Sequence, residues 1–176
     1  MDVYKLKFTI LQLEIFKLFC VKSGQQISQR QISKYLGVSP TAIAKSLPLL
    51  EKEGIITITK GVTNVNFVAL NTTSKKVRTW KQSENIHHLH NSGIVEYLEQ
   101  EYPEATISIQ GSYALGTDIA GSEIEIVITR SKNQEARSKK HTDVTQYEKK
   151  LEKTIKIIYE QKVSGTTTRL IVGGTI

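Results

Sequence analysis

The chain has 176 residues, of which 39% are hydrophobic and 23% charged, with a formal net charge of +7. That composition belongs to a globular protein of one ordinary or two small domains and excludes a disordered chain. It contains no run of eighteen apolar residues, so no membrane-spanning helix is expected. Lys5, Lys7 and Glu14 interrupt the order of a signal peptide, and Cys20 is the single cysteine. A cytoplasmic, reducing environment and a buried Cys20 are therefore expected.

The charge is unevenly placed. Residues 1–80 carry ten Lys and two Arg against four acids, whereas the remainder carries twelve basic and thirteen acidic residues. The excess of +8 in the first part points to a polyanionic partner. Between Asp2 and Glu51 the only acid is Glu14.

In chain order, FTILQLEIFKLFCVKSG predicts a helix buried through Ile10, Ile15, Leu18 and Phe19 and stopped at Ser23-Gly24. ISQRQISKYLGVSPTAIAKSLPLLEKEG predicts two more. Ser28 and Gln31 have capping-box spacing, and Ile32, Tyr35 and Leu36 form the apolar face of the first of these. Gly37-Val38 makes the turn. Ser39 caps the next helix, Pro40 takes its first position, and Gly54 ends it. Ile43, Leu47 and Leu50 face inward there, and Pro48 is expected to bend the helix. IITITKGVTNVNFVAL then reads as a hairpin turning near Gly61.

Helix, helix-turn-helix and hairpin over residues 6–72 resemble prokaryotic winged helix-turn-helix DNA-binding domains. The resemblance implies double-stranded DNA as partner. It gives base contacts to Thr41, Ala42, Lys45 and Ser46, and phosphate contacts to Gln29, Arg30, Lys34, Lys60 and Asn64. A protein or RNA contact by the same surface is the alternative.

Residues 73–102 predict linking helices. Val77, Trp80, Ile86 and Leu89 form one apolar stripe, and Ile94, Val95 and Leu98 form another after Ser92-Gly93. The domain boundary is placed near residues 72–82. His87, His88 and His90 do not share a face in the manner of helical zinc ligands, so a solvated surface is expected there.

The rest reads α-β-α-β-α-β: strand ATISIQ, a turn at Gly111-Ser112, strand EIEIVIT, a helix with Val144, Tyr147 and Leu151 inward, and strand TIKIIYE. The form of the tail KVSGTTTRLIVGGTI stays open. GSYALGTDIAGSEIEIVI, with Gly111, Ser112, Gly116 and Ser122, resembles the signature of minimal nucleotidyltransferases of the polymerase-β-like superfamily. The joined arrangement resembles a group of archaeal winged-helix nucleotidyltransferases and the antitoxin-like members of that superfamily.

The resemblance implies an α+β chain: an N-terminal winged-helix domain (1–72), linking helices (73–102) and a small nucleotidyltransferase-like mixed sheet (103–176). It places an NTP on Gly111 and Ser112 and Mg²⁺ on Glu123 and Glu125. The chain departs from the family pattern at several positions. Two glutamates replace two aspartates, Leu115 stands where a basic residue is common, and Lys156 sits near the third acid's place, with Glu160 as its substitute. Two readings follow. One is a DNA-binding regulator with a degenerate second domain used for sensing, dimerisation or partner binding. The other is an active transferase moving NMP to a protein or RNA acceptor, in the manner of antitoxins that pair with toxin-like partners.

Overall fold

The computed structural model describes residues 8–61, 65–130, 143–161 and 170–173. The chain divides into two compact units, 1–77 and 78–176.

The first unit runs α1 (Ile10–Val21), β1 (Ile27–Ser28), α2 (Gln29–Leu36), α3 (Pro40–Lys52), β2 (Ile56–Lys60) and β3 (Asn66–Leu70). Thr9 and Gln12 form a capping box that starts α1. The buried stripe of α1 is Ile15, Phe16, Phe19 and Cys20, so the lone thiol is a core residue. Ile10, expected in that stripe, is 80% exposed. As the first helical residue it lies nine positions before Phe19, about half a turn away round the helix.

Ser28 and Gln31 form the second capping box, and Gly37 ends α2 at φ 65. Ile32 is buried, but Tyr35 is 56% exposed, against expectation. It lies about 60° round the helix from Ile32, and the Lys22 ammonium stands 5.5 Å from its ring. Helix α3 runs unbroken through Pro48, with Ile43, Leu47 and Leu50 buried. Gly54 at φ 67 turns the chain out of it.

The hairpin is present, with β2 antiparallel to β3 from Ile56↔Leu70 to Lys60↔Asn66. β1 adds a third strand through Ile27↔Val68, giving the order β1-β3-β2. β1 was not foreseen, because two residues are too few to show a period. Three helices packed on this small sheet make a winged helix. Its core is Ile15, Phe19, Ile32, Ile43, Leu47, Leu50, Ile55, Ile56 and Val68. Each such side chain contributes about 1.5–3 kcal/mol by leaving water.

The second unit continues through α4 (Lys75–Ser92), which begins in the last residues of the first unit. It then runs α5 (Ile94–Glu101), β4 (Thr106–Gln110), α6 (Gly111–Leu115), β5 (Ile124–Arg130), α7 (Thr145–Leu151), β6 (Ile155–Gln161) and β7 (Leu170–Gly173). Gly93 at φ 84 separates α4 from α5. The α-β-α-β-α-β order runs from α5 to β6. The sheet is mixed, in the order β6-β5-β4-β7, with only the β5–β6 pair parallel. Leu89, Ile94, Val95, Leu98, Tyr113, Tyr147 and Leu151 pack with Ile107, Ile109, Ile124, Ile126 and Ile128 in one core. Part of the open tail is strand β7. The polar segment 131–142 and the rest of the tail lie outside the described residues.

Candidate nucleic-acid interface

The turn before α3 is built from local chemistry. Gly37 takes the left-handed conformation, and the Ser39 hydroxyl accepts from the Ala42 backbone N–H at 3.2 Å. Pro40 occupies the position where a missing N–H costs nothing. With Ile43, Leu47 and Leu50 inward, the exposed face over the first turns is Thr41, Ala44, Lys45 and Pro48, and Lys52 continues it. The first four stand at i, i+3, i+4 and i+7, one continuous side of the helix.

Ser46, expected on that face, is buried instead. Its hydroxyl donates to the Ala42 carbonyl at 2.9 Å. Its own carbonyl accepts from Gln12 Nε2 at 3.1 Å, so α1 holds α3 at this point. The position lies one residue from Leu47, and the wider contact with α1 covers it. Ala42 is half-buried. Arg30, Lys34 and Lys60 are exposed and Gln29 is half-buried. Asn64 lies outside the described residues. The unit therefore combines a shallow helix face bearing Lys45 and Lys52 with cations on α2 and β2.

The carboxylates of the second unit form a different arrangement. Gln110 Nε2 donates to Glu125 Oε2 at 3.0 Å. Gly111 follows at φ 72, and a Cβ there would lie 3.3 Å from the same oxygen. A glycine thus lets the turn run close beside the carboxylate. Glu123 is exposed and precedes β5 by one residue, so the two glutamates do not share that strand. The register neighbour of Glu125 on β6 is Lys156, and Glu160 lies beside Thr129. Glu160 is therefore four residues along, about 13 Å from the level of Glu125, and cannot serve as its third acid. No ion pair joins Glu125 to Lys156 among the described residues, and no group of three or more His, Cys, Asp or Glu assembles there. Leu115 is 54% exposed, an apolar side chain where a phosphate ligand would be cationic. Ser112 is half-buried, and its carbonyl accepts from the Thr117 N–H at 2.9 Å.

One cluster was not legible in the sequence. Asp118, fully buried, forms an ion pair with Lys81, which is 1% exposed. Asn85 Nδ2 donates to the same carboxylate oxygen at 2.8 Å. Lys153 Nζ lies 3.2 Å from the other oxygen. That contact lacks hydrogen-bond geometry, and the ammonium also donates to the Ile119 carbonyl at 2.6 Å. These residues come from α4, from the loop before β5 and from the end of α7. Lysines in an apolar pattern carry no signal of burial, and their partner is remote in the chain.

The three histidines part ways. His87 Nε2 lies 2.8 Å from Asn91 Nδ2, and His90 faces Glu96 at 3.5 Å. Burial holds the His88 imidazole below its usual range, partly offset by Glu152.

No family model matches the chain, and no curated protein does. Among solved structures the chain is similar to ZitR of Lactococcus lactis, a zinc-responsive MarR family member. The identity is 19%, over 56% of this chain and 66% of that one, with a TM-score of 0.42. The adhesin competence repressor AdcR of Streptococcus pyogenes gives 20% identity over 57% and 71%, at 0.43. MepR, a transcription regulator of the Staphylococcus aureus multidrug efflux pump MepA, gives 19% over 54% and 69%, at 0.41. These alignments take in little more than half of the chain. The winged-helix assignment rests on its own element order and strand register.

Proposed function

We propose that this protein binds double-stranded DNA through its winged helix and acts as a transcriptional regulator, with a nucleotidyltransferase-like second unit that senses or binds a partner without transferring nucleotides. The observation that carries the reading is the exposed face of α3. It presents Thr41 and Lys45 beyond a capped turn, flanked by the cations Arg30, Lys34 and Lys60. A helix presented in this way fits the major groove, and the flanking cations suit the phosphates on either side. The degenerate reading of the second unit is supported by Lys156 beside Glu125, where a metal site calls for a carboxylate. Self-association as a homodimer, or capture of a toxin-like protein, are the roles such a unit would serve.

Duplex-binding assays at several salt concentrations test the DNA reading. Lys45→Glu should weaken binding at least tenfold at low salt and lower the salt slope, because it replaces a cation at the DNA surface with an anion and so reduces the counterions released. Unchanged affinity and slope in Lys45→Glu would remove α3 from the interface.

The competing reading is an Mg²⁺-dependent transferase that takes an NTP at Gly111 and Ser112. It draws support from the approach of Gly111 to Glu125. It predicts nucleotide binding that depends on both the metal and the glutamates.

A further inference from the structure

The chemistry of the exposed α3 face limits what it can recognise. Residues 40–52, PTAIAKSLPLLEK, contain no Arg, Asn or Gln. Those side chains pair bidentately with guanine or adenine in the major groove, and of the residues that do so only lysine, which pairs with guanine, is present in this helix. On the exposed face the long hydrogen-bond donors are Lys45 and, in the last turn, Lys52. The other positions are Thr41, Ala44 and Pro48. Ser46, which could have supplied a second hydroxyl, is turned inward and spent on the Ala42 carbonyl. The recognition surface is thus short, mostly apolar and continuous for two turns.

We infer that α3 selects DNA through the C5-methyl groups of thymines, packed against Ala44, the Thr41 methyl and Pro48, with Lys45 on an adjacent guanine or phosphate. The inference rests on the DNA-binding reading and gives it a base preference. Among the four bases only thymine offers an apolar group to the major groove, and small apolar side chains are its usual partners. A short face also lets the helix backbone approach the base edges closely. Along the helix axis Ala44 lies midway between Thr41 and Pro48 and one residue before Lys45, so methyl contact and charge contact fall close together.

The test uses the full chain. Duplexes are enriched from a random pool, and each thymine of the enriched site is then replaced singly by deoxyuridine, which deletes the methyl and keeps the base pair. Affinity at one fixed salt concentration should fall about fourfold for each contacted thymine, the effect of one buried carbon. Ala44→Ser should flatten that discrimination at one of those positions and leave the salt slope unchanged. If every deoxyuridine duplex binds as tightly as its parent while Lys45→Glu still weakens binding, the methyl readout is wrong and the DNA interface stands. If no duplex shows salt-dependent binding, both fall together.

Discussion

Asp118 shows how much a single side chain holds in the second unit. Two buried lysines and Asn85 converge on its carboxylate from α4 and from the end of α7. Its removal leaves buried cations without their counter-charge. Asp118→Ala should therefore cost about 3–5 kcal/mol in the unfolding of this unit, a size typical of breaking a buried pair. Urea unfolding followed by the Trp80 fluorescence and by circular dichroism measures it. A loss below about 1 kcal/mol would mean that the lysines reach water when the acid is gone. Gly116 is a second residue of this kind. It holds φ 65, and a Cβ there would lie 2.3 Å from the Arg78 carbonyl oxygen. Only glycine fits that approach of loop to helix.

At the scale of elements, α4 carries both the charge network and a titratable group. His88 lies on it, with Glu152, His87 and Lys153 as its charged surroundings. Burial lowers its proton affinity in the folded chain, so protonation favours the unfolded state. Its contribution is full above the ordinary value of 6.5 and is lost as the pH falls from there toward the lower folded value. Between about pH 7.5 and pH 5.5, the Tm of the wild type should fall further than that of His88→Gln. Parallel Tm profiles would mean that the imidazole gains enough water on protonation to escape the penalty. The helix termini follow a simpler logic. The Ser28–Gln31 capping box, the Ser39 cap and the turns at Gly37, Gly54 and Gly93 were legible in the sequence, because each depends on nearby residues, whereas the Thr9–Gln12 box was seen only in the structure. The faces of the helices were less so. Ile10, Tyr35 and Ser46 each took the side opposite to expectation, since a period places a residue only to within a fraction of a turn. Packing by a neighbouring element decides the remainder.

For the molecule as a whole, the excess of positive charge lies in the first part of the chain, and the sheet of the second unit sets Lys156 beside Glu125. The degenerate reading makes a prediction for the intact protein. Thermal unfolding with ATP, GTP, CTP or UTP should show no Mg²⁺-dependent rise in Tm, in the wild type or in a Glu123→Ala/Glu125→Ala variant. A ligand that binds only the folded state must raise its stability, by about 2.7 kcal/mol at a hundredfold excess over Kd. An Mg²⁺-dependent rise in the wild type that vanishes in the double variant would establish the transferase reading in place of the one proposed.

The sequence by itself determined most of the helices and strands, though not β1 or β7, together with the turn chemistry, the α-β-α-β-α-β order and the placement of positive charge. All of these are set by neighbours within a few residues or by composition. Only the tertiary structure decided which side chains meet. The parallel pairing of β5 with β6 sets Lys156 beside Glu125 and carries Glu160 out of reach. Asp118 meets Lys81 across 37 positions of chain. β1 exists because β3 offers it a hydrogen-bonding edge. Register and long-range pairing depend on how whole elements pack, and no local pattern records them.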